Sequence, residues 1–354
     1  MANSGILAKL LKKFLLKGDS ESFVLPGALS DESRILAINT GDLSEFLFYL
    51  PLIQAIRNRY PRAQIDILTP EEHESLVAPS GLARNCLLYN SKQLRPWSPG
   101  FMGLVKDIRA RSYDISIVMS FDPSPALESV ALLSGAGLRM GPSHKGSSPA
   151  VNFEIKARPD DKRYRGTRLQ AVAPFLDLPN LSGPCRLPLP EEKLKKMGQK
   201  IHFIKPRQSE VLIGVDPALG KSGVGFSAQN LHFVVNQISS QLSCRTVPVT
   251  FSDDTERLAR FEAGLNVPPL ALPRESLFDI IQLVAHCDLF LSGNTDLFHY
   301  AAALEVPTIG LFMAEDSAVW EPTDSSHVCI LRISEGQRVE IDTLMAAIAD
   351  VRSS

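Results

Sequence analysis

Between Cys287 and Pro322 the chain reads CDLFLSGNTDLFHYAAALEVPTIGLFMAEDSAVWEP, and no other stretch constrains the fold so tightly. Asp288 to Ser292 is a short apolar strand and Gly293 to Asp296 a turn. Leu297 to Leu304 is a helix rich in small residues, and Val306 to Phe312 a second buried strand. Two apolar strands joined through one helix make a parallel pair with a crossover. A helix that starts just after a parallel strand offers free backbone N–H groups and the positive end of its dipole, which suit an anion. The same pattern also describes an ordinary β-α-β unit with no ligand, since such units fill every α/β protein.

The alternation runs through most of the chain. Strands are expected at 34–39, 63–68, 86–89, 113–119, 138–141, 210–215 and 245–250. Helices are expected at 44–60 (with Pro51 as a kink or restart), 71–77, 102–112, 126–134, 167–176, 231–242, 254–265, 277–287 and 341–351. Residues 142–163 read as polar loop, and the proline-rich stretch near 177–195 as a linker. Strands alternating with helices predict an α/β fold with parallel sheets covered on both faces. The 354 residues exceed one compact core, so two such halves are expected, with ligands in a cleft at the strand carboxyl ends. The boundaries fall at 1–33 for an N-terminal extension, 34–185 for the first domain and 186–354 for the second.

The 37 basic and 39 acidic residues leave a net charge of −2, so nothing argues for a nucleic-acid partner. Five cysteines, odd in number and widely spaced, signal neither a disulfide framework nor a zinc site, which fits a cytoplasmic setting. Residues 6–17 (ILAKLLKKFLLK) read as a short cationic amphipathic helix. It can lie peripherally on the inner face of an anionic membrane, or dock on the protein's own core or a partner.

Several segments together resemble glycosyltransferase family 9, the lipopolysaccharide heptosyltransferases. They are RILAINTGDLSEFLFYLPLIQAIRNRYPRAQIDIL (34–68), FSAQNLHFVVNQI (226–238) after IGVDPAL, and the 287–322 segment with His299, Pro307, Phe312, Asp316, Trp320 and Pro322. The similarity spans about 34–350. The resemblance implies two Rossmann-like domains facing a cleft, the GT-B arrangement. It implies an ADP-sugar donor on the C-terminal domain, a lipid-linked or saccharide acceptor on the N-terminal domain, inversion at the anomeric carbon, and no required metal or further cofactor.

Three motifs depart from the family. Its Gly-Asp, six residues before the Leu-Pro proline, becomes Ser44-Glu45. Glu45 keeps a carboxylate able to take a proton from the acceptor hydroxyl, on an arm longer by one methylene; the alternative is a solvated first-turn acid. Asp42 of Gly41-Asp42 is the second candidate base. The family's phosphate-contacting lysine position holds Val224, with Lys221 three residues upstream in a glycine-rich loop; Lys221 either swings in or stays solvated. The family's Asp-Thr-Gly becomes Asn294-Thr295-Asp296, which puts a negative charge beside a diphosphate and a good N-cap before Leu297. His299 is either a donor contact or a packing residue, and Glu256 matches a family acid near the donor, downstream of Ser252-Asp253. Two readings follow: an active, divergent sugar transferase, or a family member impaired in catalysis that serves as a binding or scaffold protein. A sugar-nucleotide enzyme of the same architecture, such as an epimerase, is a weaker third.

Overall fold

The computed structural model describes residues 24–25, 27–120, 125–142, 150–155, 164–179, 181, 187–205, 207, 210–218, 228–251, 255–272, 276–316, 318–322, 325–334 and 337–353. The residues 6–17, Lys221 and Ser252-Asp253 lie outside them. The chain divides into two compact units, Met1–Asp161 with Thr167–Gly183, and Lys162–Gly166 with Pro184–Ser354.

The first unit is built on a six-stranded sheet: β1 (Arg34–Asn39), β2 (Gln64–Pro70), β3 (Asn85–Tyr89), β4 (Ile115–Met119), β5 (Leu138–Pro142) and β6 (Phe153–Ile155). Their order is β3-β2-β1-β4-β5-β6 and every pairing is parallel. The order reverses between β1 and β4, the switch point where doubly wound sheets leave a crevice at the strand carboxyl ends. Leu36, Ile38 and Val118 pack against Leu104, Val105 and Ile108 of the helix Pro99–Arg109 and against Leu127 and Val130 of the helix Pro125–Leu133. Ile35, Ala37 and Ile117, which alternate with them, are equally buried. Burial on both faces explains why these strands read as continuous apolar runs.

The second unit holds a five-stranded sheet: β7 (Val211–Asp216), β8 (Cys244–Pro248), β9 (Leu289–Ser292), β10 (Thr308–Met313) and β11 (Val328–Ile333), in the order β11-β10-β9-β7-β8 and again all parallel. Its switch point lies between β7 and β9. Ile213, Val215, Leu289 and Leu291 pack on one face with Leu231, Val234, Leu344 and Ile348. Leu212 and Phe290 pack on the other with Ile280, Leu283, Leu297 and Ala301.

Gly214 sits opposite Phe290 in the parallel register. A Cβ there would lie 2.6 Å from a Phe290 ring carbon and 2.7 Å from Cys287 Sγ, and both residues are buried. Gly214→Ala is therefore expected to cost about 1–3 kcal/mol through overpacking. Chemical denaturation checks this, and Phe290→Leu in the same chain should recover part of the loss.

The structure corrects several expectations. The helix Leu43–Arg59 runs through Pro51 without a restart. Residues 71–77 split into a 3-10 turn, Glu71–His73, and one α turn, Glu74–Val77. Residues 165–176 form a 3-10 helix rather than an α-helix. The helix Glu191–Ile204 begins inside the stretch read as linker. Two strands went unread: β6 within the polar 142–163 stretch, and β11, which is half-exposed along the sheet edge. Trp97 stands at φ 62, in the left-handed region, a conformation that costs a non-glycine residue about 1–2 kcal/mol.

Candidate functional site

Each unit gathers polar side chains at its switch point. In the first, β1 ends at Asn39, whose register partner is Met119 of β4. The loop then turns at Gly41, whose φ of 93 favours glycine. Asp42 follows as the N-cap of the helix Leu43–Arg59, accepting from Glu45 N and from Ser44 Oγ, both at 2.8 Å. A cap of this kind contributes about 1 kcal/mol. Asp42 is thus half-buried and engaged in holding the helix start.

Glu45 is not a solvated first-turn acid. It is 4% exposed, and Ser120, the residue after β4, donates its hydroxyl to Glu45 Oε2. Tyr49, one turn on, donates its hydroxyl to the Ser120 carbonyl at 3.0 Å. Burial raises the Tyr49 phenol well above its ordinary range, and the negative charge of Glu45 adds to the effect. Tyr49 therefore stays a neutral donor, and Glu45 is oriented by a hydroxyl from the neighbouring strand end.

In the second unit the cluster centres on Asp216, the last residue of β7 and the register partner of Ser292 in β9. Thr295 Oγ1 donates to Asp216 Oδ2 at 2.8 Å and lies 2.8 Å from Ser292 Oγ. The Ala218 amide donates to Asp216 Oδ1 at 3.0 Å. Burial pushes the Asp216 carboxyl up to about 6; bonds from Ala218, Thr295 and Thr250 oppose the rise, and the charge of Asp296 adds to it.

Thr295, not Asp296, caps the helix Asp296–Ala303, with its hydroxyl 3.4 Å from Phe298 N. The one-residue correction puts Asp296 inside the first turn, where an acid suits the helix dipole. Asn294 is 2% exposed and donates through Nδ2 to Asp316 Oδ1 at 3.1 Å, while its Oδ1 is buried without a hydrogen-bond partner among the described residues. Asp316 also accepts from Met313 N at 2.9 Å, and Arg332 donates to the Asp316 carbonyl at 2.8 Å and pairs with Glu321. Asp316, a signature residue after β10, thus ties Asn294 to the end of that strand.

His299 is fully buried on the same helix, with Nδ1 3.3 Å from the Tyr164 hydroxyl and its ring 5.6 Å from that of Trp320. Arg165 stacks over Trp320 at 4.2 Å. These contacts give His299 a packing environment. Asn294, Thr295, Asp296 and His299 thus come together on one loop and helix. Glu256 stands apart: its side chain is 82% exposed and 3.7 Å from Arg260. Its neighbour Arg257 turns inward and donates to the Pro217 carbonyl, just past Asp216. Among the described residues no group of three or more His, Cys, Asp or Glu side chains could hold a metal ion. No described helix is long and apolar enough to cross a membrane.

Residues 101–347 match the family model for glycosyltransferase family 9 (heptosyltransferase), more than half of the chain. The chain belongs to that family. It is similar to lipopolysaccharide heptosyltransferase 3 of Escherichia coli, 21% identical over 294 residues that cover 80% of this chain and 84% of the relative. Its fold is similar to a family 9 glycosyl transferase from Veillonella parvula, with a TM-score of 0.74 at 16% identity over 92% of this chain and 99% of that one. It is likewise similar to the E. coli ADP-heptose lipopolysaccharide heptosyltransferase II, with a TM-score of 0.69 at 18% identity, over 89% and 98%. The two α/β units with all-parallel sheets agree with that likeness, and the Glu45 and Asp216 clusters sit at the switch points of those sheets.

Sequence reading singles out Glu45 and the 294–299 loop, and the structure adds their contacts Asp216 and Ser120, with Arg257 beside them, which that reading does not single out. Asp216 stands in IGVDPAL, a strand end before a proline, where an acid reads as part of a turn. Ser120 carries no motif. Arg257 was passed over for the adjacent acid.

Proposed function

We propose that this chain transfers a heptose-like sugar from an ADP-sugar to a saccharide or lipid-linked acceptor of lipopolysaccharide or another surface glycan, with inversion. The observation that carries the reading is Glu45: a buried carboxylate at the β1–β4 switch point, oriented by Ser120. Glu45 takes the proton of the acceptor hydroxyl as its oxygen attacks the anomeric carbon. The bond from that carbon to the diphosphate breaks on the opposite side, and ADP leaves with the electron pair. Asp42, spent on the helix cap, is the weaker candidate base.

The donor sits on the second unit. The first-turn amides after Thr295 face its phosphates, Arg257 and Lys221 contribute positive charge, and Asn294 Oδ1 accepts from a ribose or sugar hydroxyl. The relative named for ADP-heptose supports the choice of nucleotide and sugar. In this reading the acceptor-side domain is 34–185 and the donor-side domain 186–354. The protein works in the cytoplasm, and residues 6–17 contact the membrane. Nucleotide release from ADP-heptose in the presence of a lipopolysaccharide-core acceptor tests the proposal. No release across nucleotide-heptose donors sinks it.

A second reading, a binding protein without turnover, draws on one observation. Asp296 sits in the first turn after Thr295, beside the amides proposed to face the phosphates, and its charge already acts on the buried Asp216. A unit charge ~5 Å from a phosphate at an effective dielectric of ~20 opposes it by roughly 3 kcal/mol. Asp296→Asn is therefore expected to tighten ADP binding at least tenfold, read by calorimetry. An unchanged Kd would show that Asp296 does not face the phosphates.

A further inference from the structure

Trp97 is 53% exposed and Met102 44% exposed, and together they head one stripe of the helix Pro99–Arg109. Ser98 caps that helix, accepting from Phe101 N at 3.1 Å, so Trp97 and Met102 occupy the N′ and N4 positions that a hydrophobic staple brings together. The stripe continues from Met102 through Lys106 to Arg109, at helical spacings of four and three, and both basic residues are exposed. Lys92 and Arg95 in the loop before the cap are exposed as well; the acids nearby are Asp107 on the flank and Glu71, which accepts from Asn90 Nδ2 at 3.1 Å. The opposite face, Phe101, Leu104, Val105 and Ile108, is buried in the first unit's core. Trp97 keeps its side chain in solvent from a left-handed backbone that glycine would adopt without strain. A strained, exposed aromatic points to a function for it.

We propose that this surface is a docking face for an anionic lipid bilayer, with Trp97 and Met102 entering the headgroup region and Lys92, Arg95, Lys106 and Arg109 meeting the lipid charge. A tryptophan with an apolar neighbour suits the depth at which headgroups meet acyl chains, and the buried face anchors the helix to the fold so that the stripe stays outward. Each basic residue near an anionic surface strengthens partitioning roughly fivefold, and the attraction fades with salt. A neutral protein partner would have no use for four cations around two apolar side chains. The face lies in the described part of the first unit and stands independently of residues 6–17 and of the chemistry at Glu45.

The test uses the full chain with vesicles of phosphatidylcholine alone or mixed with phosphatidylglycerol. The chain has two tryptophans. In Trp320→Phe protein, Trp97 reports alone, and its emission should shift to the blue and be quenched by brominated lipid only with the anionic vesicles. Trp97→Gly relieves the backbone, so it should keep or raise Tm while vesicle sedimentation falls at least tenfold. Lys106→Glu with Arg109→Glu should do the same without touching the aromatic. Vesicle binding with no change in Trp97 emission would place the contact elsewhere and overturn the proposal. So would equal binding to neutral vesicles, or none to either.

Discussion

Glu45→Gln is expected to lower kcat by roughly 10²–10⁴-fold, the range general-base catalysis contributes, with the Kd for ADP unchanged. The amide keeps the size of the side chain and can still accept from the Ser120 hydroxyl, so the helix start and its Asp42 cap should survive. What is lost is the ability to take a proton. Ser120→Ala should cost less, about tenfold, because it leaves the carboxylate and removes only what orients it. Its signature is a larger loss in Glu45-dependent turnover than in donor binding. Full activity in Glu45→Gln would rule out Glu45 as the base.

The second large effect concerns Asp216 and pH. Its carboxyl has a folded value of about 6 against an ordinary 3.8, chiefly from burial. The native state therefore binds more protons than the unfolded one between those two values, and stability falls as pH rises through that window. Above pH ~6 the full penalty applies, on the order of 3 kcal/mol at 1.36 kcal/mol per pH unit of difference. Asp216→Asn removes the ionisation. The variant should gain on the wild type steadily from about pH 4 to pH 6, then hold a constant lead, whatever fixed cost its altered hydrogen bonds to Thr295 and Ala218 impose. Denaturation midpoints of both proteins at a series of pH values decide it. A difference that does not change with pH would mean that Asp216 titrates alike in both states.

The fold was largely legible because burial on both sheet faces writes each central strand as an unbroken apolar run. Where a strand lies at an edge, as β11 does, only part of it is buried, and the run is diluted by residues such as Arg332. The linker was overestimated because prolines at 188 and 190 end at the helix Glu191–Ile204, whose first turn is acidic and exposed. The sites were half legible. Glu45 and the 294–299 loop carry local pattern. Their partners do not: Ser120 is 75 residues from Glu45, and Asp216 is 79 from Thr295. Only strand pairing brings them together, and no local spacing encodes it. The choice between Thr295 and Asp296 as cap turned on one backbone residue in the extended region, which residue type alone does not decide.

The chain path has a bearing on how such proteins could be recombined. Residues 162–166 belong to the second unit, while 167–183 return to the first, so the backbone passes between the units three times. The short middle visit delivers Tyr164 to His299 and Arg165 to Trp320. A chimera joined by one crossover near 184 would pair the second unit with a foreign strap in place of Tyr164 and Arg165, and leave His299 facing whatever residue that relative supplies. Exchange of specificity between family members should then succeed only when those five residues travel with the C-terminal unit, which makes them a small, inherited piece of that unit stranded in the sequence of the other.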